Sequence, residues 1–219
     1  MTETKSFFDA IKAGELKSVE AMVDHDRSLL IVKPEQAPSI VLLAMYYGQP
    51  AIADLLIECG APLDFFEATA CGRMPRLEEL LKVHPDLVNA VTVDGFQPLG
   101  LACFFGQAQV AAMLLDRGAR VNSVSRNRLR VMPLHSAVAR QDVKIARLLL
   151  EHGADPNARQ ADDFTPLHGA AQNGQVEMVK LLLEFGAEVN VQSSGGLTPL
   201  AMAGQHGHQA VVDLLRSIS

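Results

Sequence analysis

The sequence predicts an all-α fold in which short helix–loop–helix repeats stack into a solenoid. Three observations carry this prediction: a 33-residue period, paired helices too short to be stable alone, and a glycine at most of the turns between them. Pro133, Pro166 and Pro199 begin equivalent segments 33 residues apart, and Pro98 lies 35 residues before Pro133. Each repeat therefore has to bury its apolar side chains against a neighbouring copy.

The most regular repeat covers residues 165–190 and serves as the template. Thr165 is a good N-cap, and Pro166 fits the first helical position, where its missing N–H costs no hydrogen bond. Gly174 ends the first helix, and Gly186 ends a second helix whose apolar residues recur at helical spacing. This pattern predicts two short antiparallel helices.

Turns between paired helices are predicted at seven positions, and one of the intervals between them is short. The positions are Gly14, Gly48, Gly72, Gly106, Gln141, Gly174 and Gly207. Only 24 residues separate Gly48 from Gly72, whereas the other intervals are 33 to 35 residues. Most connections between repeats are expected to form short β-hairpins, here called fingers, as at the tight-turn dipeptide Asp94-Gly95. At Leu63-Asp64-Phe65 the finger is expected to be missing.

The N-terminal half is more diverged but repeats itself. Residues 7–64 align without gaps on residues 65–122, so that Gly48-Gln49 matches Gly106-Gln107. Each of these blocks holds two helix pairs. We therefore predict a single domain over residues 1–219 with terminal caps and seven repeats, which start near residues 7, 39, 65, 97, 132, 165 and 198.

Several of these segments carry a known signature. Thr165-Pro166-Leu167-His168-Gly169-Ala170 and Gly186-Ala187-Glu188-Val189-Asn190 resemble the ankyrin-repeat motif, as do the segments that start at Met132, Gly153 and Thr198. The resemblance implies an elongated ankyrin solenoid whose first helices and fingers line a concave face that usually holds a protein partner. It also implies that His135 and His168 are structural and bond neighbouring turns.

Composition restricts the class of function. The chain is 48% hydrophobic with a net charge of −6, which argues against non-specific nucleic-acid binding. It has no apolar run long enough to cross a membrane, and its first residues lack the apolar segment of a secretory signal, so we expect a cytoplasmic protein. Cys59, Cys71 and Cys103 form no CxxC pair and are expected to be reduced thiols. We expect a monomer.

No motif for catalysis or metal binding is present. HExxH, GxSxG and Walker A sequences do not occur, and no carboxylate or cysteine accompanies His206 and His208 at ligand spacing. Cys71 is the cysteine expected near the groove, but no histidine base lies near it in sequence. The predictions are therefore no enzyme activity, no catalytic residue, no metal and no cofactor.

Two surface features depart from the template. The first is a hypothetical apolar depression, floored by small residues and flanked by aromatic pairs that precede turn glycines. Its residues are Tyr46, Tyr47, Ala70, Cys71, Phe104 and Phe105. In the alternative interpretation, one ring of each pair packs against the next repeat.

The second feature is a basic segment, since residues 123–164 hold seven basic and five acidic side chains. Arg126, Arg128 and Arg130 alternate, so in a strand they would point to one face and, with Arg140, bind an acidic partner. In the alternative interpretation they lie in a solvated loop and are neutralised by four aspartates. These are Asp142, Asp155, Asp162 and Asp163.

The predicted function follows the resemblance: a non-catalytic adaptor or scaffold that binds another protein through the groove and fingers. Two alternatives stay open. The chain could be a regulatory subunit that inhibits one enzyme, or a sensor that binds a small ligand or a nucleic acid in the groove.

Overall fold

The computed structural model describes residues 3–32 and 38–218, which fall into two compact units. The N-terminal unit comprises the described residues up to Leu87 together with Thr92–Asp94. The C-terminal unit comprises Val88–Val91 and the described residues from Gly95 onward. The single domain predicted over residues 1–219 stays a prediction.

Each unit is built from consecutive pairs of short α-helices. The N-terminal unit contains α1 (Glu3–Ala13), α2 (Leu16–His25), α3 (Ile40–Tyr46), α4 (Pro50–Glu58), α5 (Phe65–Ala70) and α6 (Met74–Val83). The C-terminal unit contains α7 (Pro98–Phe105), α8 (Ala108–Asp116), α9 (Pro133–Arg140), α10 (Val143–Glu151), α11 (Pro166–Gln172), α12 (Val176–Glu184), α13 (Pro199–Gln205) and α14 (Gln209–Arg216). Three short 3₁₀ segments cover Arg27–Ile31, Pro85–Asn89 and Ala161–Asp163.

The two helices of a pair form two layers. In the C-terminal unit, α7, α9, α11 and α13 pack side by side, and α8, α10, α12 and α14 do the same in a second layer. The side chains between the layers are fully buried, for example Leu134, Ile145 and Leu149. In the N-terminal unit, Phe7, Ile11 and Ile52 are buried in the same way. The structure therefore confirms the predicted all-α solenoid of stacked helix pairs.

All seven predicted turn positions adopt the left-handed backbone conformation, with φ between +64° and +78°. Six of them are glycines, which reach this region without steric cost. The seventh, Gln141, has φ +64° and ends α9. The first repeat begins earlier than expected, because α1 starts at Glu3 rather than near residue 7.

The fingers are hairpin-shaped loops. No β-strand occurs within residues 3–32 or 38–218, so the β-hairpin character predicted for the fingers is wrong in detail. Single backbone hydrogen bonds close them instead, from Gln160 N to Phe164 O at 3.0 Å and from Ser193 N to Leu197 O at 3.0 Å. The missing finger is confirmed, because only residues 59–64 separate α4 from α5.

Side chains of one repeat bond the backbone of the next. Asn122 Nδ2 donates to Gly153 O at 3.0 Å while its Oδ1 accepts from Asp155 N, and Asn157 makes the same pair of bonds with Gly186 and Glu188. Because both ends of each amide are used, every such asparagine sets the position of the following repeat.

The predicted structural histidines behave in a similar way. His135 Nε2 donates to Phe164 O at 3.2 Å, and His168 Nε2 donates to Leu197 O at 3.0 Å. Both rings are buried, and each reaches the finger that follows its own helix pair. The role that the resemblance implied for these two residues is confirmed.

Candidate functional site

The two tyrosines at the end of α3 differ in their surroundings. Tyr46 is half-buried, and its hydroxyl donates to Asp94 Oδ2 at 2.7 Å. Burial, followed by this hydrogen bond, raises the pKa of Tyr46 far above its usual value, so its phenol stays neutral. Tyr47 is 51% exposed, and Lys12 Nζ lies 5.7 Å from the centre of its ring. Tyr47 therefore exposes more of its ring to a binding partner than Tyr46 does.

The two small residues expected on the floor of the depression are less accessible. Ala70 is fully buried and offers no surface to a partner, which corrects its assignment as a contact residue. The reason is that α5 packs against α3, so the last helical position of α5 faces a neighbouring helix. Cys71 is half-buried, and burial raises the pKa of its thiol to about 11. The thiol is therefore protonated at neutral pH and a poor nucleophile.

The phenylalanine pair at the end of α7 has one packed ring and one accessible ring. Phe105 is 9% exposed and Phe104 is 42% exposed, with ring centres 5.0 Å apart in an edge-to-face arrangement. The alternative interpretation is therefore correct for this pair, and Phe105 is removed as a contact residue. The continuous depression predicted from Tyr46 to Phe105 combines residues of both units and stays a prediction.

The C-terminal unit contains an apolar groove of its own, with a volume of about 310 Å³. Its lining includes Phe96, Phe104, Leu129, Val131, Val138, Ala139 and Phe164. Leu129 is 59% exposed at the edge of the groove, although it is a large apolar side chain. Apolar concavities with accessible aliphatic and aromatic side chains are typical of binding sites.

Sequence reasoning found Phe104 and missed most of this groove. The predicted contact residues lie at the two positions before each turn glycine, whereas Phe96, Leu129, Val131 and Phe164 belong to the fingers. A signal was present, because Leu129 is an isolated aliphatic residue between two arginines in a loop. It could have been identified as an exposed apolar residue.

The arginine-bearing finger does not form the strand on which the predicted one-sided array depends. Arg126 lies in a bend, Arg128 lies in a turn, and Arg130 has a left-handed φ of +51°. The finger contains a two-residue insertion, and this extra length is taken up by a turn. The three guanidinium groups are nevertheless exposed, as is that of Arg140, whose side chain lies against Gly106.

Three of the four aspartates that were expected to neutralise these arginines have other partners. Asp142 caps α10 by accepting from Ile145 N, and Asp155 accepts from Asn157 N. Asp163 accepts from Ser194 Oγ and lies 3.7 Å from Arg159. None of the four arginines of the candidate site forms an ion pair with a residue in the described ranges. Neutralisation by neighbouring aspartates therefore does not occur through direct ion pairs among the described residues, and it stays an alternative interpretation.

A second depression, lined mainly by polar side chains, includes Arg126 of the same finger. It has a volume of about 490 Å³ and is lined by Arg120 and Arg126 together with Asn89, Asn122 and Gln97. The amides are engaged with backbone groups, for instance Gln97 Nε2 with Val124 O at 3.2 Å. The two arginines, both exposed, are the charged groups of this depression.

No group of three or more His, Cys, Asp or Glu side chains suited to a metal ion occurs in residues 3–32 and 38–218. The paired histidines near the C-terminus are bonded to the backbone, His206 to Met202 O and His208 to Gln172 O. Across the same described residues, no helix combines the length and apolar character needed to span a bilayer.

Comparison with curated proteins finds several that contain similar repeats. A putative ankyrin repeat protein, L371, of Acanthamoeba polyphaga mimivirus is 26% identical over 160 residues, 67% of this chain and 21% of that protein. Ankyrin repeat protein nuc-2 of Neurospora crassa is 33% identical over 165 residues, 69% of this chain and 15% of that protein. A probable E3 ubiquitin-protein ligase of rice, XBOS31, is 37% identical over 93 residues, 42% of this chain and 20% of that protein. The chain thus spans about a fifth or less of the length of these relatives.

The family model of three-copy ankyrin repeats matches twice, over residues 65–160 and residues 134–218. These matches cover more than half of the chain and include the repeats in which the histidine and asparagine bonds were found. Ankyrin repeats generally act as protein-interaction modules and are typically not catalytic. The chain belongs to the ankyrin-repeat family.

Proposed function

We propose that this chain is a non-catalytic adaptor or scaffold that binds a partner protein in the apolar groove of its C-terminal unit. The observation that carries the proposal is the groove of about 310 Å³, with Leu129 and Phe104 accessible at its edge. A large apolar side chain of the partner, seated there, would remove both residues from water. Truncation of such an anchor typically costs at least about 2 kcal/mol of binding free energy.

Rigid display of a preformed surface is the mechanism that we propose. The walls of the groove come from helices packed on both sides, and its finger residues are fixed by backbone hydrogen bonds to neighbouring fingers. Little conformational entropy is then lost on binding. In the N-terminal unit, we propose the exposed ring of Tyr47 as a second anchor, and Tyr46 and Cys71, both half-buried, as further contact residues.

The three cysteines are free thiols, which fits a reducing compartment such as the cytoplasm, where we place the protein as a monomer. A regulatory subunit that inhibits one enzyme is a special case of the same binding activity. It would be recognised if one captured partner is an enzyme whose activity falls on binding.

The experiment compares capture of partners from the native organism by three forms of the purified chain. Wild type, Leu129→Asp in the groove, and Val83→Asp at a 69% exposed apolar residue of α6 are used as baits. We expect a set of proteins to be retained by wild type and by Val83→Asp and lost with Leu129→Asp. Equal retention by all three baits would rule out the groove as the site. Far-UV circular dichroism verifies that both variants are folded.

A further inference from the structure

We propose that the partner segment is acidic, with carboxylate or phosphate groups on either side of an apolar anchor, and that Arg126, Arg128 and Arg130 bind these groups. This inference rests on the proposed function, since it specifies the chemistry of the occupant of the same groove.

The finger places an apolar residue and cations next to each other. Leu129 lines the apolar groove, and its two neighbours along the chain are the exposed Arg128 and Arg130. Arg126 lines the polar depression together with Arg120. A segment that seats an apolar side chain against Leu129 therefore has guanidinium groups within reach before and after that side chain.

Backbone hydrogen bonds hold this finger in place at three points. Ser125 N donates to Val131 O at 2.8 Å and closes the loop. Arg126 N donates to Gly95 O at 2.7 Å, and Ala161 N donates to Leu129 O at 2.9 Å, so the finger is fastened to the fingers before and after it. The arginine side chains thus extend from an ordered backbone, which lowers the entropic cost of binding an extended segment.

The charges are available for a partner. The arginines of the finger form no ion pair inside the described ranges, and three of the four neighbouring aspartates cap a helix, bind a backbone N–H group or pair with Arg159. Guanidinium groups bind carboxylates and phosphates with paired donors, and charge-assisted bonds are stronger than neutral ones. A cationic finger whose arginines form no ion pair among the described residues is complementary to an acidic segment.

A rival occupant is a second copy of this chain. Residues 1–64 hold 10 acidic and 5 basic side chains, so they too carry negative charge. The exposed aliphatic residues of this region, Leu16 and Ile31, have basic as well as acidic neighbours: Leu16 lies between Glu15 and Lys17, and Ile31 ends the 3₁₀ segment that begins at Arg27. A separate acidic segment fits the groove and finger together, and self-association becomes an outcome of the test.

To test this proposal, phage-displayed random 12-residue peptides are selected for binding to the full chain at low salt. The selected peptides are then synthesised, and their affinities for the chain are measured by fluorescence anisotropy. We expect enrichment of Asp and Glu around a Leu, Ile or Phe.

The triple variant R126Q/R128Q/R130Q should bind these peptides at least tenfold more weakly. The control R117Q/K144Q/R216Q removes the same number of exposed positive charges outside the groove and should bind as wild type does. Raising NaCl from about 50 to 300 mM should weaken wild-type binding severalfold, because exposed charges are screened.

Replacing Asp with phosphoserine in the winning peptides distinguishes the two sources of negative charge, and a preference for either supports the proposal. Enrichment of apolar peptides with no acidic preference, lost in Leu129→Asp, would overturn this inference and leave the proposed function standing. No enrichment by wild type would also overturn it, while the capture experiment decides the proposed function separately. A low-salt dimer in analytical ultracentrifugation that the triple variant abolishes would assign the finger to a second copy and overturn the proposal.

Discussion

One repeat in each unit begins its first helix with a capping box, but the two boxes are built from different side chains. In the C-terminal unit, Thr165 caps α11, and His168, the third helical residue, completes the capping box. In the N-terminal unit, Asp64 caps α5 and Glu67 occupies the position of His168. Both boxes satisfy backbone N–H groups at the helix start. The difference is that an imidazole in one unit is replaced by a carboxyl group in the other.

This replacement changes what the side chain does beyond its own turn. His168 uses Nδ1 for the box and Nε2 for the carbonyl of Leu197 in the next finger. Glu67 accepts from Asp64 N at 2.7 Å and is hydrogen-bonded to Ser39, the N-cap residue of α3. The imidazole therefore ties its repeat to the one that follows, and the carboxyl group ties its repeat to the one that precedes.

The largest expected effect comes from removing the imidazole bridge. His168→Ala loses the capping-box bonds and the bond to Leu197 O, which keeps only its bond from Ser193 N, and it opens space in the core. We expect a loss of about 2–4 kcal/mol in the free energy of unfolding. His135→Ala should cost less, about 1–2 kcal/mol, because its ring makes one of these bonds, to Phe164 O.

Urea unfolding followed by far-UV circular dichroism measures both losses. His152→Ala is the control, because that ring is exposed and bonds Leu148 O of its own helix. Equal losses for the three variants would show that bridging between repeats is not the source of the effect.

The comparison also shows how far sequence reasoning reaches in this molecule. The turn positions were predictable, including the left-handed Gln141, because the period and the helix-ending residues are local properties of the chain. The sequence did not predict that Phe105 is buried and Phe104 exposed. The two residues are adjacent in one helix and of the same type, so they differ only in the side chains that the neighbouring repeats place against them. The apolar groove was missed for the same reason, because loop side chains such as Leu129 acquire a role only through neighbouring fingers. The charges on the finger were predictable, whereas its shape depended on the inserted residues.

The next effect is a difference in pH dependence between the two units. Burial first, and then the neighbouring Asp64, raise the pKa of Glu67 to about 7, so the folded chain binds more protons there than the unfolded chain. The contribution of Glu67 to stability is therefore fully present below about pH 4.5 and is lost as the pH rises through 7, on the order of 2 kcal/mol in total. Glu67→Gln should abolish this loss.

The histidines act in the opposite direction. Burial lowers the pKa of His135 to about 4 and also lowers that of His168, so their contributions are lost as the pH falls below about 6.5. Thermal unfolding of wild type and Glu67→Gln between pH 4 and 8 measures the two trends. In wild type, Glu67 opposes the histidine-driven rise between about pH 4.5 and 7, so the melting temperature of the variant should rise more steeply with pH over this interval. A parallel profile in both proteins would refute the assignment, and carbon-13 NMR titration of the Glu67 carboxyl group tests it directly.

The smallest effect concerns a repeat in which the capping box is incomplete. Met132 stands where the neighbouring repeats have Thr165 and Thr198, yet its φ of −103° and ψ of 162° are close to theirs. The N-cap hydroxyl is therefore absent, and the buried Nδ1 of His135 has no hydrogen-bond partner among the described residues. By contrast, His168 Nδ1 accepts from Thr165 N and lies 2.8 Å from Thr165 Oγ1.

Met132→Thr should place a hydroxyl beside His135 Nδ1 and cap α9, because the backbone already has the required conformation. We expect the free energy of unfolding to rise by about 1 kcal/mol, the usual value of an N-cap. The gain should disappear in Met132→Thr combined with His135→Ala if the new bond to the ring is its main source, and a double-mutant cycle in urea separates the two contributions. Destabilisation by Met132→Thr alone would mean that the apolar contacts of the methionine outweigh the cap, and that this repeat departs from the template for packing reasons.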